Sequence, residues 1–145
     1  MNQCSEVMTV NPICCLPGDR VAKVAELMKS ADIGPIPIVE NAQSKKLIGI
    51  VTDRDLAVKV VAEGRDVKTT KAEEVMTRDV VTCHAEDDLQ KALDAMSQNQ
   101  LRRIPIVDDD GKIVGIISQA DVATRMNRPE KTGAMVSEIS QAHPK

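Results

Sequence analysis

The sequence predicts a mixed α/β (α+β) fold built from two β-α-β-β-α repeats packed with pseudo-two-fold symmetry. Three observations predict it. The chain repeats itself: Val7-Met8-Thr9 recurs as Val75-Met76-Thr77, and Ile36-Pro37-Ile38-Val39 as Ile104-Pro105-Ile106-Val107, both 68 residues on. The apolar residues are strand-formers: 17 Val and 12 Ile stand against 7 Leu among 145 residues, with no Phe, Tyr or Trp. Strand-like and helix-like periodicities also follow one another in the same order in both halves. A half of about 55–60 residues buries only ~60% of its unfolded surface, so the two are expected to pack together.

The elements follow in order. Asn11–Cys15 and Asp79–Cys83 read as short strands. Helices follow at Arg20–Ser30 and Asp87–Gln98, where Val21, Val24, Ala25 and Met28, and then Leu89, Ala92, Leu93 and Met96, recur at helical spacing. Asp19 and Asp87 stand where a cap and an acidic first turn are favoured. Ile36–Val39 with Leu47–Val51, and Ile104–Val107 with Lys112–Ile117, read as hairpins. The second closes on Asp108-Asp109-Asp110-Gly111, a solvated turn rather than a calcium loop, since the downstream Glu is missing. Between Glu40 and Lys46, in the turn of the first hairpin, the repeat offset drops to 66, as a turn tolerates. Helices close each repeat at Asp53–Glu63 and Gln119–Met126. These readings give a first repeat at 5–63, a polar connector at 64–72, a second repeat at 73–127 and a tail at 128–145. A short helix near Met135–Ile139 is expected in the tail.

Composition excludes several functions. Without aromatic rings there is no platform on which single-stranded nucleic acid can stack. The net charge of −3 gives no basic field for DNA or RNA. The longest apolar runs, Leu47–Val51 and Ile113–Ile117, are five residues, too short for a membrane span. The first ten residues lack a basic start and an apolar stretch, so no signal peptide is expected. The four Cys read as reduced thiols of a cytoplasmic protein. Cys14-Cys15 and Cys83-His84 do not read as a metal site, because adjacent strand residues point to opposite faces. His84 and His143 stand at no triad-like spacing.

One motif can carry chemistry. Gly49-Ile50-Val51-Thr52-Asp53-Arg54-Asp55 and Gly115-Ile116-Ile117-Ser118-Gln119-Ala120-Asp121 each run from a strand through a hydroxyl residue to an Asp three positions on. A hydroxyl residue and an acid at this spacing before a helix form a capping box, which needs no ligand. The same turn also exposes backbone N–H groups and the positive end of a helix dipole, which suit phosphate. Thr52 or Ser118 can bond phosphate or ribose, and Asp55 or Asp121 can accept from ribose hydroxyls. Gly49 and Gly115 would let a ligand approach the backbone.

With these motifs, Ile-Pro-Ile-Val and Val-Met-Thr among them, the chain resembles a tandem pair of cystathionine-β-synthase (CBS) domains, a Bateman module, over residues 5–127. The resemblance implies an adenine nucleotide (AMP, ADP or ATP) as a regulatory ligand in two clefts, with no cofactor required. It implies ribose held by Asp55 and Asp121, beside Thr52 and Ser118. It implies a base held by backbone and apolar groups near Ile13 and Cys14, and near Val81 and Thr82, with Ile36 and Ile104 lining the walls. Arg102 and Arg103 in the second repeat are further candidates, as phosphate contacts. In the first repeat Asp53 would repel phosphate unless it points away and Arg54 could offset it, so unequal affinities are expected. The resemblance implies a non-enzymatic sensor, a homodimer, whose target protein is supplied in trans. A ligand-free interaction module is the alternative, and a nucleotide-processing enzyme, which would need a positioned metal or base, a more distant one.

Overall fold

Short helices and extended segments alternate along residues 2–126, the part of the chain that the computed structural model describes. In order they are α1 (Cys4–Val7), β1 (Thr9–Val10), α2 (Val21–Ala31), β2 (Pro35–Val39), β3 (Leu47–Thr52), α3 (Asp53–Asp55), α4 (Ala72–Val75), β4 (Cys83–His84), α5 (Leu89–Gln98), β5 (Arg103–Val107), β6 (Ile113–Ser118) and α6 (Gln119–Met126). No helix among the described residues is long and apolar enough to cross a membrane. The expected tail helix lies outside the described residues.

The sequence repeats are not the packing units. One unit is Ile13–Val80; the other gathers residues 2–12 with the described residues from Val81 on. Each unit therefore takes its Val-Met-Thr segment from the chain ahead of the other repeat. In the second unit, β1-β6-β5-β4 form a four-stranded sheet. β1 pairs antiparallel with β6, Thr9 opposite Ile116, and β4 pairs parallel with β5, Cys83 opposite Ile106. In the first unit β2 and β3 form the hairpin, and single bridges, Cys15 to Ile38 and Ile50 to Thr77, stand where the outer strands would be.

A methionine explains why those segments dock there. A β-carbon added to Gly49 would lie 2.5 Å from the Met76 sulfur, and one added to Gly115 would lie 2.5 Å from that of Met8. The glycines thus admit a thioether onto the sheet. The expectation that they open the backbone to a ligand is corrected, because methionine fills that space.

Each core is the helix face expected from the periodicity, except that Ala25 is exposed and Leu27 packs against the first core in its stead. Val21, Val24 and Met28 meet Ile36, Ile38 and Val51, with Ala72 and Val75 joining from α4 and Met76 from just after it. Leu89, Ala92, Leu93 and Met96 meet Ile104, Ile106 and Ile117, with Cys4 and Val7 joining from α1. A fully buried Ile or Leu contributes about 1.5–3 kcal/mol relative to exposure.

Several local expectations are revised. The first strands shrink: Asn11 has φ 50 and Pro12 has no N–H to offer, so only Cys15 bridges. Asp19 and Asp87 do not cap helices. They accept from the N–H three residues back, Leu16 at 2.8 Å and His84 at 2.7 Å, and close the loop before each helix. The caps are Arg20 and Asp88, the latter accepting from the Gln90 N–H. The helix expected over Asp53–Glu63 is one α-turn continued as a π-helix, Leu56–Val61. The polar connector also packs: Thr70 is buried and its carbonyl accepts from the Val21 N–H at 2.9 Å.

Candidate functional site

Each hairpin delivers its hydroxyl residue to the start of a helix. In the first unit, Thr52 ends β3 and caps α3. Its Oγ1 accepts from the Asp55 N–H at 3.1 Å, and Asp55 Oδ2 accepts from the Thr52 N–H at 2.9 Å. In the second unit, Ser118 Oγ accepts from the Asp121 N–H and Asp121 Oδ2 from the Ser118 N–H, both at 3.1 Å. The capping box is therefore present twice.

The two carboxylates carry further partners. Asp55, 8% exposed, receives the Lys59 ammonium at 3.0 Å on Oδ1 and a long bond from the Thr77 hydroxyl at 3.5 Å. Lys59 also donates to the Val75 carbonyl at 2.9 Å. Asp121, half-buried, receives the Thr9 hydroxyl at 3.4 Å from each oxygen. Thr9, Thr77 and Lys59 were not anticipated as site residues. The signals were in the sequence: the threonines end the duplicated Val-Met-Thr, and Lys59 stands four residues after Asp55, one helical turn away.

The neighbouring strand is fixed by register. Pro35 faces Thr52 and Ile36 faces Val51; Arg103 faces Ser118 and Ile104 faces Ile117. At the turn, the Asp53 N–H donates to the Gly34 carbonyl at 3.0 Å, and the Gln119 N–H donates to the Arg102 carbonyl at 3.1 Å. The geometry thus brings Thr52, Asp53 and Asp55 together in one unit, and Ser118, Asp121, Arg102 and Arg103 in the other. Asp53, Arg54 and Arg103 are exposed; Arg102 is half-buried.

The expected base-binding residues separate into two groups. Ile13 is 40% exposed, and Cys14, Val81 and Thr82 are half-buried, so all four present surface. The Cys15–Ile38 and Cys83–Ile106 pairings carry these segments along the edges of β2 and β5. Ile36 and Ile104 are fully buried in the cores. Their place as cleft walls is corrected: strand alternation turns them toward the helices.

Burial pushes the Cys4 thiol up to about 12, reinforced by Cys83 and Asp87, and the Cys15 thiol up to about 11, reinforced by Asp19. Cys14 and Cys83 are raised for the same reason. These thiols are poor nucleophiles. No group of three or more metal-ligating side chains comes together among the described residues.

The family model described as CBS domain matches residues 4–62 and again 72–128. The CBS domain-containing protein YhcV of Bacillus subtilis is 35% identical over 140 residues, 97% of this chain and 96% of that protein. The solved structure of Hypoxic Response Protein I, with two coordinated zinc ions, has 30% identity and a TM-score of 0.76, covering 84% of this chain and 97% of that one. A CBS domain pair solved with 5′-methylthioadenosine and S-adenosyl-L-methionine has 27% identity and a TM-score of 0.75, covering 88% and 97%. An inosine-5′-monophosphate dehydrogenase of Methanocaldococcus jannaschii is 35% identical over 130 residues, but that match spans only 25% of the enzyme.

Proposed function

This chain belongs to the CBS domain family, as a tandem pair of its domains, and from that membership we propose that it is a regulatory module for adenosine-containing small molecules, the AMP, ADP and ATP class included. The observation that carries the reading is the duplicated turn at which a hydroxyl residue and a carboxylate, Thr52 with Asp55 and Ser118 with Asp121, stand hydrogen-bonded at the head of a helix. The related pair holding two adenosyl compounds supports it.

In this reading Asp55 and Asp121 accept from ribose hydroxyls, and Ile13, Cys14, Val81 and Thr82 flank the base with aliphatic and backbone groups. An ionised carboxylate has about four acceptor sites. At Asp55 four donors already fill them, the Thr52 N–H and hydroxyl, Lys59 and Thr77, so a ribose hydroxyl displaces the weakest, the 3.5 Å bond from Thr77. Asp121, which among the described residues receives the Ser118 N–H and the Thr9 hydroxyl, takes a ribose hydroxyl without displacement. Thr77 lies three residues before the point where the chain leaves one unit for the other. Releasing it gives ligand binding a mechanical consequence, which a partner protein reads in trans. YhcV, matched along 96% of its length, supports regulation of a partner in trans. A ligand can shift such an equilibrium only through its different affinity for the two states.

Thermal unfolding with AMP, ATP, 5′-methylthioadenosine and S-adenosylmethionine tests the reading. Ligand at a hundred times Kd stabilises by about 2.7 kcal/mol, raising Tm by about 5–10 °C. Asp121→Ala and Asp55→Ala are expected to remove the shift at their own sites. No shift with any of these compounds would leave the ligand-free interaction module as the better reading.

A further inference from the structure

The two sites are built alike in backbone and differ in charge. The equivalent hydrogen bonds, Asp53 N–H to the Gly34 carbonyl and Gln119 N–H to the Arg102 carbonyl, establish the correspondence independently of alignment. The strand pairs Pro35–Thr52 and Arg103–Ser118 extend it. So Gly34, Pro35, Asp53 and Arg54 occupy the places that Arg102, Arg103, Gln119 and Ala120 occupy in the other unit.

Resting on the adenosine-binding reading, we propose that the sites sort ligands by charge: the Asp121 site takes an adenosine bearing a 5′-phosphate, and the Asp55 site takes one that is uncharged or cationic at that end, such as a nucleoside thioether or sulfonium. In the first unit, the Asp53 carboxylate stands at the head of α3 and accepts from the Arg54 N–H at 2.9 Å. It already satisfies the donor that a phosphate would use, and it neutralises the positive helix end. It also lies against Gly34, 3.4 Å from where a β-carbon would be. A phosphate brought to this turn meets a fixed negative charge. Arg54 only brings the local sum to zero.

In the second unit the same four places carry two positive charges and no negative one. Arg103 is the direct cross-strand partner of Ser118, which sets their β-carbons about 4.5–5.5 Å apart on one face of the sheet. A guanidinium there can share a phosphate with the Ser118 hydroxyl. Gln119, in the place of Asp53, contributes a buried amide Nε2 with no acceptor among the described residues. A donor is thus left over where the first unit has a carboxylate.

Titration calorimetry on the whole chain with AMP and with 5′-methylthioadenosine separates the outcomes. AMP is expected to fill one high-affinity site per chain, weakening as salt rises, because part of its binding is charge attraction. Arg103→Ala should weaken AMP about tenfold and leave 5′-methylthioadenosine within about twofold. Asp53→Gln, which gives the first turn the residue of the second, should raise AMP affinity there about tenfold, the scale of removing one charge about 6 Å from a phosphate in a largely aqueous setting. Both residues are exposed, so both variants are expected to fold. AMP filling both wild-type sites equally, or insensitive to both substitutions, overturns the sorting and leaves the adenosine reading standing. Binding of neither compound overturns both.

Discussion

Asp87 shows how a single carboxylate serves the fold rather than the site. It accepts from the His84 N–H at 2.7 Å and lies 3.5 Å from the Lys91 ammonium. The backbone N–H of His84, and then Lys91, hold its carboxyl below the usual carboxylate range. A lowered native value means that its contribution is fully present above the unfolded value of about 4 and is lost as pH falls below it through the native one. Asp87→Asn is expected to cost about 1 kcal/mol at pH 7. Urea unfolding at pH 7 and at pH 3 should show that difference shrinking in acid. The role was misassigned from sequence because Asp88 competes for the cap, and which of two adjacent acids turns inward depends on the loop.

At the scale of elements, the methionine seated over a glycine joins each Val-Met-Thr segment to its sheet. Gly49→Ala is expected to cost about 1–3 kcal/mol by overpacking against the Met76 sulfur. Met76→Ala removes the obstacle while opening a gap, so the double variant should be more stable than the sum of the two losses predicts. A double-mutant cycle by urea unfolding measures that coupling, expected at about 0.5–3 kcal/mol. The hairpins and the main helices were legible because burial imposes its period on the sequence. The π-helical Leu56–Val61 was not, since the wider turn leaves no distinct composition; it accompanies the reach of Lys59 to Asp55 and to the Val75 carbonyl. The capping boxes were legible in full because a hydroxyl and an acid three residues apart is a local pattern.

The whole molecule is organised by an exchange of segments. The second unit's core includes Cys4 and Val7 from α1, and its sheet includes β1. A fragment of residues 73–127 has the second repeat complete but lacks all of these. It is expected to lose cooperative unfolding, followed by circular dichroism, whereas the same fragment supplied with a peptide of residues 1–12 should regain helix. The repeats read from sequence start at residues 5 and 73, and the packing units are cut eight residues later, at Ile13 and Val81.

The sequence by itself determined the duplicated β-α-β-β-α order, the aliphatic cores and the two hydroxyl–carboxylate turns, because each rests on spacing within one element or between adjacent ones. It also placed the charge difference between Gly34-Pro35 and Arg102-Arg103 at equivalent points of the repeat. Tertiary structure alone decided what fills the space over Gly49 and Gly115, which threonines reach Asp55 and Asp121, and that Ile36 and Ile104 face a core. Those contacts join residues as far as 112 positions apart. Such pairings leave no periodicity along the chain; they are selected by which long-range docking buries the most apolar surface without stranding a polar group.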